Sequence, residues 1–297
     1  MNTITHHTTC PLCAAPDIRP ALTAKDHTVS GESFDIWECS DCTARFTQNT
    51  PEPDSIGAYY RSDNYISHSN TNRGLVNKLY HRVRKITLAQ KRKLIQQVTK
   101  IQTGNLLDVG AGTGLFVDTM RKGGWKVTGL EPDATARTRA REMNIMLQDI
   151  SDLYQLPAAN FDVITLWHVL EHVHDVHGYL KQLKHILKHE GHLVIAVPNY
   201  TSADARLYRQ FWAAYDVPRH LYHFSPASMQ ALLRLHGFQL EAIYPQWFDS
   251  FYVSLLSEQY RTGHSNFIKG IWNGFRSNLN AVRSKKQCSS LIYVAKT

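Results

Sequence analysis

The chain has 297 residues, 43% hydrophobic and 20% charged, which excludes a disordered or fibrous protein and leaves room for one large core plus something small. A net charge of +8 favours an anionic partner, whether nucleic acid, a phosphorylated or otherwise anionic small molecule, or a membrane surface, and does not choose among them. No apolar run reaches the roughly 20 residues that span a bilayer, and none resembling a secretory signal follows Met1; a cytoplasmic location with reduced cysteines is expected.

Residues 1–50 are expected to form a small metal-stapled domain. Cys10-Pro-Leu-Cys13 and Cys39-Ser-Asp-Cys42 are two Cys-x-x-Cys pairs, a spacing that lets all four thiolates reach one tetrahedral ion, as in a zinc ribbon. Four ligands close the shell and leave no place for water, so the zinc would be structural. Phe34-Asp-Ile-Trp37 alternates as a short strand does, and Cys288 reads as a small buried hydrophobe.

Residues 51–100 read as a linker and a basic helix. Pro51-Glu-Pro-Asp54 breaks the chain, and Tyr59 to Asn72 is polar and aromatic without a period. Arg73 to Lys100 then shows helical spacing in Leu75, Leu79, Val83, Ile86, Leu94, Ile95 and Val98. Lys78, Arg82, Arg84, Lys85, Lys91, Arg92 and Lys93 lie between them with no acid to offset them, either as an anion-facing surface or as a solvated face covering one edge of the next domain.

From Ile101 onward strands and helices alternate, which predicts a parallel sheet covered on both faces. Asn105 to Val109 is a buried-strand run ending in Asp108-Val-Gly-Ala-Gly-Thr-Gly114, and a helix over Leu115–Arg121 follows at once. Glycines at such a turn let main chain come close to a ligand at the helix N-terminus. A second strand, Lys126 to Leu130, carries Glu131 at its end, where an acid can accept both hydroxyls of a ribose. Asp133 is placed to cap the helix Ala134–Met143. Asn144 to Gln148 is expected as a third short strand, with Asp149 at its end placed for an adenine amino group.

Phe161 to Trp167 is the fourth strand and leads into His168-Val-Leu-Glu-His172; a capped helix ending at Gly191 and a fifth strand, His192 to Val197, follow. Pro218-Arg-His-Leu-Tyr-His-Phe224 enters a helix at Ser225-Pro226, and Phe238–Tyr244 and Ser290–Ala295 read as the last two strands. Between those strands, residues 247–287 form an insertion rich in large apolar groups with arginine and lysine interspersed, suited to a substrate lid, an oligomer surface or a membrane-interface element.

The Asp-x-Gly-x-Gly-x-Gly run at 108–114, with the later strands, resembles class I S-adenosylmethionine (SAM)-dependent methyltransferases, and most closely the group around ubiquinone-pathway O-methyltransferases. The resemblance covers residues 101–297 and implies a Rossmann-like seven-stranded sheet with helices on both faces. It implies SAM held by Asp108, Gly110, Ala111, Gly112 and Gly114 at the methionine end, by Glu131 and Pro132 at the ribose and by Asp149 and Ile150 at the adenine, with His168 lining the methyl site. The sulfonium makes an excellent leaving group, so such an enzyme chiefly positions a nucleophile and excludes water. Where the acceptor is a hydroxyl or an acidic carbon, a histidine suits the base, and His168, His220 and His223 are the candidates, with Tyr222 as an outside option.

A four-cysteine knuckle on such a domain also resembles bacterial methyltransferases of sugar and polysaccharide biosynthesis, which implies a small-molecule acceptor such as a glycan precursor. Trp167-His168-Val169-Leu170 lacks the Asn/Asp-Pro-Pro-aromatic signature of enzymes that methylate exocyclic base amines. RNA methylation through the zinc motif is the alternative, although the zinc-bearing rRNA enzymes have tighter cysteine spacing ending in histidine. A binding module that keeps the fold without the activity is the second alternative.

Overall fold

A computed structural model describes residues 4–60, 75–264 and 266–297, and for 75–82 the backbone alone. Strands β1 (Ile4–Thr5), β2 (Ile18–Lys25), β3 (Ser33–Cys39), β4 (Arg45–Thr47) and β5 (Thr50–Pro51) precede helix α1 (Leu75–Thr99). The expected helix start at Arg73 and most of the polar aromatic stretch through Asn72 lie outside the described residues, as do the side chains of Leu75, Lys78, Leu79 and Arg82. Lys100, at φ 57°, stops α1 because an L-residue in the left-handed region cannot continue a right-handed helix.

Next come β6 (Asn105–Val109), α2 (Leu115–Lys122), β7 (Lys126–Leu130), α3 (Ala134–Glu142), β8 (Phe161–Trp167), α4 (Val176–Ile186) and β9 (Leu187–Pro198). The chain then runs through α5 (Ala203–Tyr208), β10 (Tyr222–His223), α6 (Pro226–Leu235), β11 (Gln239–Pro245), α7 (Asp249–Thr262), α8 (Phe267–Arg283) and β12 (Ser290–Lys296).

The α/β alternation yields a sheet in the order β11-β12-β9-β8-β6-β7, with β6 parallel to both β7 and β8. Leu106, Leu107 and Val109 of β6 are fully buried, as a strand covered on both faces requires. The sheet has six full strands among the described residues rather than seven. Asn144–Gln148 contributes a single bridge, Gln148 to Leu130, because Asn144 at φ 58° still belongs to the turn off α3 and Asp149 already caps the next turn. Likewise α4 ends at Ile186, before the expected stop at Gly191, and β9 begins at once.

Contacts divide the chain into two compact units, Met1–His68 with Leu170–His177 and Ala196–Tyr293, and Ser69–Val169 with Gly178–Ile195 and Val294–Thr297. The second unit buries Val117, Ala140, Ile145 and Leu147 as one cluster beneath the glycine turn. In the first, the antiparallel sheet β10-β4-β3-β2 joins the N-terminal ribbon to a strand from the late loop, with Tyr222 beside Phe46 and His223 beside Arg45. Its register slips by one residue between Pro20 and Leu22, at a proline that has no N–H to give the ladder.

That unit also encloses a charged group. Arg219 is 1% exposed, donates to the carboxylates of Asp26 (2.9 Å) and Asp216 (2.6 Å), and also to the Tyr59 carbonyl (2.8 Å). Burial pushes the Asp26 carboxyl up, but Arg219 and the N–H groups of Ser30 and Thr28 outweigh it and hold it at about 2. With an ordinary value of 3.8, its stabilisation is complete above that pH and is lost as pH falls through about 2. Replacing Arg219 by Met leaves Asp26 charged and dry, so urea unfolding is expected to show a loss of about 3–5 kcal/mol. A loss under about 1 kcal/mol would mean the ion pair behaves as an exposed one.

Candidate functional site

The glycine turn is built as its sequence requires. Gly110, Gly112 and Gly114 have φ of 71°, 55° and 76°, where a side chain is strained. Packing closes two of the three positions: a Cβ on Gly110 would stand 2.4 Å from Val169 Cγ2, and one on Gly114 2.6 Å from Ile145 Cγ2. At Gly112 nothing lies within 4 Å of that position, so there the main chain can be approached. The Ala111 N–H is used in the turn, donating to the Leu130 carbonyl at 2.8 Å.

Asp108 lies at the foot of this turn, 2% exposed, accepting from Thr165 Oγ1 of β8 at 2.7 Å. Burial pushes its carboxyl up to about 7; the Thr165 bond and the Lys91 charge pull down, and Glu131 adds to the rise. A carboxyl held this far from water gains most from a cationic ligand.

Glu131 closes the next strand end. One carboxylate oxygen accepts from the Gly112 N–H at 2.6 Å and the other from the Asp133 N–H at 2.9 Å. Burial raises its pKa against these two bonds. Each oxygen keeps a second lone pair, as a vicinal diol would need. Asp149 is placed differently from the other two acids. Its side chain is 43% exposed, it caps the turn beginning at Ile150 through the Ser151 N–H (3.0 Å), and it pairs with Arg137 at 2.8 Å. Those Ser151 bonds come first in holding its pKa low. Arg137 also donates to the Pro132 carbonyl at 2.8 Å, so it ties together the ends of two segments, a role not legible from its place in α3.

His168 stands one residue beyond β8, half-buried, with φ 58°. A non-glycine residue held there carries backbone strain of the kind found at functional sites. Beside it in sequence, Trp167 receives the Phe116 ring edge-on at 5.4 Å and has the Lys91 ammonium 4.0 Å above its ring. Its Nε1 is buried and has no acceptor among the described residues. The basic face of α1 is therefore partly turned inward, since Arg92 likewise packs against Gly123.

The first unit holds its own cluster of titratable groups. Glu171, His172 and His220 bring their ligand atoms within 4.8 Å of one another. His172 Nδ1 lies 3.0 Å from the Arg219 carbonyl and His220 Nδ1 2.9 Å from the Ala214 carbonyl. A carbonyl only accepts, so both rings carry a proton on Nδ1. Burial, then the neighbouring His220, lowers His172 to about 4, so it is neutral at pH 7. The neutral His172 ring keeps a lone pair on Nε2, which beside the buried Glu171 can take a proton or a cation. Of the three, sequence reasoning singled out only His220; the signal for the others was the Glu-His pair directly after a strand's carboxyl end. His223 is buried in β10 with Nε2 3.1 Å from Thr47 Oγ1, and burial drives it well below its ordinary pKa. Tyr222 donates its hydroxyl to the His174 carbonyl at 3.0 Å.

The four cysteines converge. Cys10 and Cys42 sulfurs are 3.6 Å apart, as are those of Cys13 and Cys39, and all four lie within 4.8 Å. A tetrahedron with metal–sulfur bonds of about 2.3 Å has sulfurs about 3.8 Å apart, and a disulfide would need about 2.05 Å. Both knuckles fold alike: Ala14 donates to the Cys10 carbonyl and Thr43 to the Cys39 carbonyl, with φ of 61° and 60° at these two residues.

Residues 80–243, more than half of the chain, match the methyltransferase domain family. The ubiquinone biosynthesis O-methyltransferase of Xanthomonas axonopodis pv. citri is 31% identical over 152 residues, which cover 46% of this chain and 64% of that protein. Its counterpart in Actinobacillus pleuropneumoniae is 36% identical over 108 residues, covering 32% and 46%. This chain thus spans less than two thirds of these relatives' length. Among solved structures, Haemonchus contortus phosphoethanolamine N-methyltransferase 2 in complex with SAM superposes with a TM-score of 0.52 at 15% identity, over 85% of this chain and 62% of that one. The cyclase SpnF superposes with a TM-score of 0.50 at 17% identity, over 70% and 80%. Two such different reactions on one architecture mean that these likenesses speak to fold, not chemistry. The family match decides the wider question: this chain belongs to the methyltransferase domain family.

Proposed function

We propose that the chain transfers a methyl group from SAM to an oxygen or carbon of a small-molecule acceptor, a sugar or other glycan precursor among them. The observation that carries the SAM half is Asp108, a dry carboxyl beneath a glycine turn whose middle residue leaves its main chain approachable. SAM supplies an electrophilic methyl on a sulfonium and presents an ammonium that such a carboxylate would hold. Glu131 would accept the ribose hydroxyls with its remaining lone pairs. Asp149 and Ile150 would border the adenine, with the Asp149 carboxylate steadied by Arg137. Trp167 would offer its indole N–H to a polar ligand atom. The O-methyltransferase relatives support an oxygen acceptor.

The residues' part in the transfer is to orient and dry the reactants. His168, held at a strained backbone position on the carboxyl side of β8, is the first candidate to line the methyl site and take the acceptor's proton. His220 is the second candidate for the base. His223 has its Nε2 engaged by Thr47, which favours a structural part for it. The four cysteines would hold one structural zinc ion, because their sulfur spacing matches a closed tetrahedral site.

Calorimetry with SAM tests the cofactor reading directly. Affinity is expected to rise as pH climbs through about 7, because the Asp108 carboxyl must lose its proton to attract an ammonium. Asp108→Asn should bind at least about tenfold more weakly and lose that rise. Glu131→Ala should also lose about tenfold; an unchanged affinity would remove Glu131 from the site. Salt-dependent RNA binding with no small-molecule acceptor methylated would favour the RNA reading.

Metal analysis of the purified chain is expected to return one zinc ion per chain. Cys39→Ser should abolish that stoichiometry and lower the unfolding temperature, while a metal-free wild type that unfolds at the same temperature with and without added zinc would refute the site.

A further inference from the structure

Helices α7 and α8 form the hairpin that fills the insertion, and α8 is built inside out. Its buried side is small and polar: a Cβ on Gly270 would come within 2.9 Å of Leu255 Cα, and one on Gly274 within 2.8 Å of Phe251 Cα. Ser277 and Ala281 continue that side and are buried. The large apolar residues face away. Ile268, Ile271, Trp272, Phe275, Leu279 and Val282 recur at helical spacing on one stripe, with Ile268 84%, Trp272 61% and Val282 71% exposed. A soluble helix normally buries this stripe, so it marks an interaction surface.

Charge selects the occupant. From Gln259 to the end of the sequence there is no aspartate or glutamate, while Lys269, Arg276 and Arg283 repeat every seven residues along one flank of the stripe and Lys285 and Lys286 follow. All five are exposed. The Lys269 ammonium lies 3.4 Å from Glu258 of α7. A second copy meeting this face about a two-fold axis would set arginine against arginine with no acid to answer it. A leaflet of anionic lipid answers both halves: its acyl boundary takes the aromatic and aliphatic stripe, and its phosphates take the basic flank, onto which long side chains can reach from a helix lying flat. α8 has 17 residues, and no described helix is long and apolar enough to cross a membrane, so the helix would lie in the interface.

We propose that the exposed face of α8 docks the protein on an anionic membrane surface. Flotation of the full chain with vesicles of equal parts phosphatidylcholine and phosphatidylglycerol, against phosphatidylcholine alone, tests this. The chain is expected to float with the anionic vesicles and not the neutral ones, and to be released by salt. Ile268→Ser with Trp272→Ser, and separately Arg276→Glu with Arg283→Glu, should each cut binding by about tenfold or more. The charge reversal leaves the apolar stripe whole, so it stands as a test even if the serine variant misfolds. No flotation, equal flotation with neutral vesicles, or unchanged binding by the charge-reversed variant would overturn the proposal. So would a dimer that Trp272→Ser separates, which would give the face to a second copy.

Discussion

The arrangement depends on one carboxyl group kept almost free of water. Asp108 can stay buried because a threonine on the neighbouring strand bonds to it and because parallel pairing of β6 with β7 and β8 covers it on both sides. The turn above it is then confined: Val169 fills the space beside Gly110 and Ile145 that beside Gly114. Only at Gly112 does the main chain remain open, and Glu131 fixes that residue's N–H from the next strand end. Desolvation raises the ionisation cost of a carboxyl, and a cation nearby offsets it.

The other unit stabilises itself by different means. Beside a hydrophobic cluster in which Ala24 and Ile36 meet Tyr208 and Trp212, the cysteine quartet, the enclosed Arg219 with its two carboxylates, and the two-residue strand β10 each tie distant segments together. The same loop that supplies β10 also supplies His220, so the cluster with Glu171 and His172 is set by the ribbon's own sheet pairing. Holding both imidazole rings through backbone carbonyls leaves their second nitrogens oriented without any further side chain.

Features carried by short-range spacing were legible in the sequence: the cysteine pairs, the glycine turn with Asp108 before it, and the strand–helix alternation. What failed to show depends on partners far along the chain. Asn144–Gln148 has a strand's composition but too few residues between a left-handed turn and a cap. Asp149 was expected at the end of that strand; it caps a turn instead, and its carboxylate is shared with Arg137, an exposed-looking residue of α3. Tyr222 and His223 read as loop because the strand they join lies near residue 46. The apolar content of the insertion is plain in the sequence, but periodicity alone could not tell that Gly270 and Gly274, and not Trp272, face α7.

The most direct test of this account is the proton balance of SAM binding. Titrations at pH 6.5 in buffers of different ionisation enthalpy count protons exchanged, and at that pH the ligand's α-amino group, with a pKa of about 7.7–8.0, is already charged. The account predicts that the wild type releases protons on binding, because Asp108, titrating at about 7, must ionise against the ammonium, and that Asp108→Asn releases none. SAM binding with no proton release by the wild type, or with the same release by the variant, would contradict it.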